Sequence, residues 1–529
     1  MRRISTLWKA NSIAFISSFC VMVIELIAAR IMAPYIGVSL YTWTSIIGVI
    51  LAGIALGNYL GGRLADRRPS PVILAAIFLA GSLLTIAILP ATKLFTSVTW
   101  FSTLPIMWNF TLKTATIFFL PAIVLSMVSP MVIKLTLADL GQTGGVVGTI
   151  YACSTAGSIM GTFMTGFFFI LWFGTRMTVW LVAAMLIMVG IIAWFSWEVP
   201  NRWHFSLKNF IIWTVAIEVI LASAFLFHFR ESWEESYGSE IPYYSRESNY
   251  YTIKVFQGSG DVKVLSLDHL IHSYTKLDDP TVFVYDYPKV FAEMARYTAA
   301  DNPSPRLLHL GGGGYTFPRY MEIIYPESIN EVVEIDPAVT EVAREQLGLP
   351  ADTGIKTYNR DARLFLIQRK SAEKYDFVIG DVFNDHSTPF HLTTLEFDKL
   401  VKANMTPDGI YLVNIIDSYQ HGQYLPSFIH TLRQVFKNVY LFSANQSWET
   451  IEPSATLVTT FVIAATDRQI DFTDYRERAT EKGTRQLAGF PQDEAKLEAY
   501  LVERKPTLLT DDYVPTDIMV ARLFHYTTR

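Results

Sequence analysis

Seven runs of mainly apolar residues lie before residue 230, near 11–34, 42–64, 71–92, 114–136, 145–172, 176–197 and 209–228. A helix needs about 20 such residues to cross the hydrocarbon core. Lipid offers no partner for a free backbone N–H or C=O, so spans of this kind fold as helices. The runs therefore predict an α-helical transmembrane bundle of about seven spans. A further stretch at 95–110, "FTSVTWFSTLPIMWNF", is too short and too polar for a span and reads as an interfacial or re-entrant segment. The chain of 529 residues is 51% hydrophobic and 17% charged, where a soluble enzyme carries roughly a quarter charged residues. Because the apolar excess ends near residue 230, a membrane part and a soluble part are expected.

Other bulk features exclude more than they suggest. A net charge of −5 gives no sign of a nucleic-acid partner. Cys20 and Cys153 both fall in apolar runs, which leaves no disulfide framework and no Cys-based zinc site. "MRRISTLWK" resembles the start of a signal peptide, but the apolar run behind it is too long and lacks a small-residue cleavage site. It reads as a retained span.

Within the apolar half, Gly53, Gly57 and Gly61 share one helix face, and Gly157 and Gly161 share another. Such faces let helix backbones approach closely in lipid; a sliding surface in a transporter is the alternative. The loop "GNYLGGRLADRR" resembles the signature loop of major facilitator transporters, which lies in the cytoplasm. Glu25 and Glu218 sit inside the first and seventh runs, where carboxylates are expensive and usually have a partner or a function. Arg30 is near enough to Glu25 for an ion pair. Glu218 has no local partner and is a candidate cation or proton site. Arg2, Arg3, Lys9, Arg63, Arg67, Arg68, Lys134, Arg202 and Lys208 fall on one side, which puts the N-terminus in the cytoplasm. Seven spans then place everything after residue 230 outside, and an eighth crossing through 95–110 would bring it back.

The remainder divides at 231–280 and 281–529. A polar connector over 231–250 leads into "YYTIKVFQGSGDVKVLSLDHLIHSY", where two alternating runs flank a glycine turn and predict a small N-terminal β-hairpin domain. From 281 the pattern becomes helix–strand alternation. A helix at 281–299 precedes a strand at 306–310, and strands follow at 331–335, 355–360, 376–380 and 410–415, with helices opening at "DPAVTEVARE" and 362–370. This predicts an α/β Rossmann-like domain with a doubly wound, mostly parallel sheet. Ligands in such sheets bind beyond the carboxyl ends of the strands.

Four features fall at those ends. Gly311, Gly312, Gly313 and Gly314 follow the first strand, where a backbone without side chains turns sharply and meets a ligand closely. The dinucleotide pattern is incomplete and no P-loop lysine follows, so a ligand without phosphates fits as well; a plain tight turn is the bland alternative. Glu334 ends the next strand at the offset where an acid accepts from ribose hydroxyls. Its neighbour Asp336, before Pro337, reads as a helix N-cap. Asp361 is either an N-cap or an acceptor for an adenine amino group. Asp381 ends "YDFVIGD", with Asn384 and Asp385 just beyond, and could position or deprotonate a nucleophile. Thr393 with Glu396 looks like a capping box. Together these describe an adenosine site of the S-adenosylmethionine type.

At these residues the chain resembles the spermidine synthase family, the polyamine aminopropyltransferases, over roughly 245–465. "LTDDYVPTD" at 509–517 looks like the tail of membrane-fused members. "LSLDHLIHSY" puts His272 where the family has a glutamine, "VYDYPKVF" puts Tyr285 near the substrate, "VVEIDPAV" matches at Glu334, and "YDFVIGD" leads to the catalytic aspartate, here Asp381. The resemblance implies transfer of an aminopropyl group from decarboxylated S-adenosylmethionine to an amine such as putrescine, without a metal. It also implies a homodimer through the soluble domain. Two departures stand out. The family's glycine loop carries an aspartate where this chain has Gly314, and the second acid of its "DSSDP" is Asn384. Asp385, Asp511 or Asp512 would have to supply the missing charge.

Three readings follow: a membrane-anchored aminopropyltransferase, a methyltransferase using intact S-adenosylmethionine, and a ligand-sensing or transport protein. The expected location is the cell (inner) membrane, multi-pass. Both S-adenosyl donors are made in the cytosol, which favours a cytoplasmic soluble domain.

Overall fold

The structure is a computed structural model. It describes the chain except residues 1, 38, 97–103, 138–142, 197–241, 269, 300–301, 384–387, 445–457, 481–488 and 522–529. The chain divides into two compact units. One comprises Met1–Ile241 with Glu247–Asn249, the other Pro242–Arg246 with Tyr250–Arg529.

The first unit is helical. Five of its described helices are long and apolar enough to cross a membrane: Leu7–Tyr35, Leu40–Arg67, Pro71–Phe95, Met107–Thr136 and Thr143–Phe195. The count differs from seven for two reasons. The fifth and sixth runs form one 53-residue stretch, broken in direction at Gly174, whose φ of 70° lies outside the helical region. The seventh run, with Glu218, lies outside the described residues. The stretch at 95–110 is partly outside them as well, and its end from Met107 onward belongs to the fourth helix.

Both glycine faces are contacts inside this unit. A Cβ on Gly57 would collide with the carbonyl of Ile123, and one on Gly157 with the carbonyl of Phe15. The expected pairing of Glu25 with Arg30 is replaced. The Arg30 guanidinium donates to the Ser248 carbonyl, and no ion pair reaches Glu25 among the described residues.

The second unit holds two sheets. Strands β1 (Tyr244–Glu247), β2 (Thr252–Gln257), β3 (Val262–Leu267) and β4 (Leu270–Lys276) form a four-stranded sheet in sequential order. The expected hairpin is β2–β3, closed by Gly258 N–H donating to the Val262 carbonyl. Strands β5 (Arg306–Leu310), β6 (Ile329–Glu334), β7 (Lys356–Asn359), β8 (Tyr375–Gly380), β9 (Met405–Asp417), β10 (Asn438–Ser443) and β11 (Thr459–Thr466) form the larger sheet, in the order β10-β11-β9-β8-β5-β6-β7.

From β7 to β9 the larger sheet is parallel, and β11 and β10 extend it antiparallel. This is the expected Rossmann-like α/β architecture. Chain order reverses between β5 and β8, which makes the crevice beyond their carboxyl ends the topological switch point. The helix before β5 starts at Tyr287, six residues later than expected, because Pro288 is admitted only in a first helical turn. Apolar residues of β5 alternate between faces. Leu308 and Leu310 enter one core cluster with Val378 and Phe428, and Leu307 enters the other with Phe291 and Phe317.

Candidate active site

Gly311 follows β5 with φ +90°, and a Cβ there would strike the carbonyl of Asp381 on the neighbouring strand end. Only glycine meets both conditions. Gly313 also has positive φ, +47°. Next comes Tyr315, a non-glycine residue at φ 55° that caps the helix Thr316–Ile324. It is fully buried, and its hydroxyl bonds the Thr340 and Thr357 hydroxyls at 3.0 and 3.2 Å. These bonds hold an otherwise costly backbone conformation. Burial pushes the Tyr315 phenol up to about 12.

Glu334 closes the glycine turn. Its carboxylate accepts from Gly312 N–H at 2.8 Å, Gly313 N–H at 3.3 Å and Asp336 N–H at 3.0 Å. Burial raises its carboxyl above the usual range, and the backbone donors oppose the rise. A carboxylate offers about four lone-pair sites, so one remains for a ligand hydroxyl. Asp336 caps the helix Pro337–Gln346 through Ala338 N–H at 3.0 Å.

Of the two roles that the sequence allowed Asp361, the structure shows the N-cap. It accepts from Leu364 N–H at 2.9 Å as an N-cap, and its second oxygen lies 2.8 Å from His391 Nε2. The capping residue of the helix Leu395–Ala403 is Thr394, one position beyond the expected Thr393. Glu396 accepts from Asp511 N–H and does not close a capping box.

Asp381 is the centre of the arrangement. Oδ2 accepts from the Tyr287 hydroxyl at 2.8 Å, and Oδ1 from Asn414 Nδ2 at 3.0 Å. Burial raises its carboxyl; the Asn414 and Tyr287 bonds and the positive field of His272 hold it back. Raised affinity for a proton is what a carboxylate base requires. His272 Nδ1 lies 3.0 Å from the Leu270 carbonyl and Nε2 lies 3.3 Å from the Phe383 carbonyl. Tyr285 donates to the Ile271 carbonyl at 3.2 Å, with its ring centroid 5.7 Å from that of Tyr287.

One cavity of about 350 Å³ gathers Gly311 to Gly314, Glu334, Asp361, Asp381, His272 and Tyr285. That size falls in the range of small-molecule sites. Asp511 and Asp512 are not on its wall. Asp511 is paired with Arg363 Nη1 at 2.7 Å and accepts from Thr394 Oγ1 at 2.7 Å, and the Arg363 guanidinium holds its carboxyl below the usual range. Asp512 is exposed. Asn384 and Asp385 lie outside the described residues.

Tyr287, Asn414 and His391 are wall residues that were missed from the sequence. Tyr287 stands two positions after Tyr285 in the same motif. Asn414 is a polar residue inside the apolar run of β9, a signal that could have found it. His391 has no local signal, because only the fold brings it to Asp361.

A doubly wound sheet whose glycine turn and acid-tipped strands open on one cavity defines a Rossmann-like domain with a candidate ligand site at its switch point. Residues 301–474 match the spermine/spermidine synthase domain. The chain is 31% identical over 166 residues to the polyamine aminopropyltransferase of Vibrio vulnificus (strain CMCP6), which covers 30% of this chain and 54% of that one. It is 32% identical over 198 residues to the probable polyamine aminopropyl transferase of Bifidobacterium longum (strain NCC 2705), covering 37% and 42%. Over 120 residues it is also 29% identical to the eEF1A lysine and N-terminal methyltransferase of Bos taurus, covering 21% and 17%. The chain thus spans about half the length of the two polyamine aminopropyl transferases.

Proposed function

We propose that the second unit is an aminopropyltransferase, using decarboxylated S-adenosylmethionine and an amine such as putrescine, and that the N-terminal helices anchor it in the cell (inner) membrane. The observation that carries this reading is Asp381, a buried carboxylate held by Tyr287 and Asn414 on the cavity that also contains the glycine turn and Glu334. The match of residues 301–474 supports it, and five helices of sufficient length and apolarity support the anchor. The soluble unit would face the cytoplasm, where the donor is made.

In this reading Glu334 takes the ribose, Asp361 the base, and the glycine turn lies under the sulfonium. The amine nitrogen attacks the carbon next to sulfur in line. The C–N bond forms while the C–S bond breaks, its electron pair stays on sulfur, and methylthioadenosine leaves as a neutral thioether. The surplus proton on nitrogen passes to Asp381. Catalysis here is mostly alignment, removal of that proton, and a cavity wall suited to cations. Tyr251, Tyr285 and Tyr287 line the same space, and their ring faces attract an ammonium.

One observation favours a methyltransferase as the second reading. A Cβ on Gly314 would lie 2.1 Å from the Ser273 hydroxyl and 2.9 Å from its Cβ, so an acid there would have to displace Ser273. Ser273 Oγ and Thr275 Oγ1 are buried and have no hydrogen-bond partner among the described residues. A hydroxyl wall does not repel the carboxylate of the intact donor.

Mass spectrometry on the detergent-purified chain separates the two readings. Each donor is supplied with a panel of amines, beside an Asp381→Asn control. Methylthioadenosine formed only from the decarboxylated donor, and lost in the control, is the expected result. Methylated product from the intact donor would replace this reading with the second. Consumption of neither donor would remove both.

A further inference from the structure

A second, smaller cavity of about 20 Å³ is lined by Asp381, Tyr287, Thr316 and a histidine that the proposed reaction does not use, His309. Some 10–15 Å³ of such space holds one water, provided that two or more polar groups face it. His309 is the fourth of the five residues of β5, opposite Ile379 of β8, and is 2% exposed.

Its tautomer follows from a chain of hydrogen bonds. The Ser328 hydroxyl donates to the Met321 carbonyl, so its oxygen accepts from Asn330 Nδ2 at 2.8 Å. Asn330 therefore presents Oδ1 to His309 Nε2, at 3.1 Å. An amide oxygen only accepts, so Nε2 carries the proton and Nδ1 keeps its lone pair. Burial pushes the imidazole down to about 4, which keeps it neutral in the working range.

We propose that the small cavity holds one ordered water donating to Asp381 and to Nδ1 of His309, which makes His309 a positioning residue for the Asp381 carboxylate. The inference rests on the reading of Asp381 as the base. A water donating to a buried carboxylate favours its charged form. Among the described residues, the other titratable or charged groups around Asp381 are His272 from β4, Tyr285 and Tyr287 before or in the helix Tyr287–Ala299, and Glu334 from β6; Arg360, Asp361 and His391 also line the larger cavity.

Infrared difference spectroscopy on the full-length protein, with Asp381→Asn to assign its carboxyl band, reads the protonation of Asp381 without any turnover. In His309→Leu the band titrates about one pH unit higher, the size of one lost hydrogen bond to a charged group. The acid limb of kcat/KM moves up with it. His309→Gln keeps an acceptor and restores the wild-type titration. Should His309→Leu fail to fold, Asn330→Leu frees the tautomer and moves the band the same way. A folded His309→Leu or Asn330→Leu with an unmoved band overturns the inference. A moved band in a protein that consumes neither donor keeps this inference and discards the aminopropyltransferase.

Discussion

Glycine has one effect on packing in both units and opposite consequences for function. In the helical unit, Gly157 lies against the carbonyl of Phe15, and in the second unit Gly311 lies against the carbonyl of Asp381. Neither site has room for a methyl group. Gly157 is inside a regular helix, so its lack of a side chain brings two helices together and nothing more. Gly311 has φ +90° at the end of a strand, so its lack of a side chain also turns the chain and brings the turn against the strand end that carries Asp381. A small residue therefore becomes informative about chemistry only when its backbone conformation is known.

Alanine at the two positions breaks this comparison most sharply. Gly311→Ala adds strain of about 1–3 kcal/mol from the left-handed backbone and a collision with Asp381. Donor binding by calorimetry should fall below detection and turnover should vanish. Gly157→Ala should lower the melting temperature of the purified protein by separating two helices, with donor affinity unchanged. If both variants lose donor binding equally, the two units do not work independently and the contrast fails.

Legibility differed in the same way. The Rossmann-like sheet was readable from alternating strand and helix periods, and Asp381 and Glu334 from their places at strand ends. The antiparallel β10 and β11 were not foreseen, since their pairing with β9 is set by contacts far apart in sequence. Asp511 looked like a spare carboxylate in the tail motif at 509–517. Its chemistry depended on Arg363, 148 residues away, a distance no local pattern reports. Tyr287 was obscured by Tyr285, because both lie on the cavity and only the hydrogen bond to Asp381 separates their roles.

Those two tyrosines sharpen the second comparison. Tyr287→Phe deletes one of the two side-chain donors to Asp381 among the described residues and keeps the ring. Losing a bond to the charged form raises the carboxyl further above the usual aspartate range. The base must be ionised, so activity is lost as pH falls through this value. The acid limb of kcat/KM should therefore move upward by about one pH unit. Tyr285→Phe, whose hydroxyl donates to the Ile271 carbonyl, should leave the limb where it is and alter KM for the amine. Equal shifts in both variants would refute the assignment of Tyr287 as the partner of Asp381.

The smallest effect separates Asp511 from the carboxylates of the cavity. Its side chain is 42% exposed where it meets Arg363, and solvent screens such a pair to about 0–1 kcal/mol. The Arg363 guanidinium depresses the Asp511 carboxyl, so the contribution is present above the ordinary aspartate range and fades as pH falls through the lowered value. Asp511→Asn keeps the shape and removes the charge. Chemical denaturation at neutral pH should show a loss within that range, and KM for the amine should stay within about twofold, since a lost direct ion pair with a buried substrate would cost several kcal/mol. A rise in KM of tenfold or more would return Asp511 to the substrate site, as the sequence motif suggested. An unchanged KM leaves Asp381 and Glu334 as the described acids nearest the chemistry.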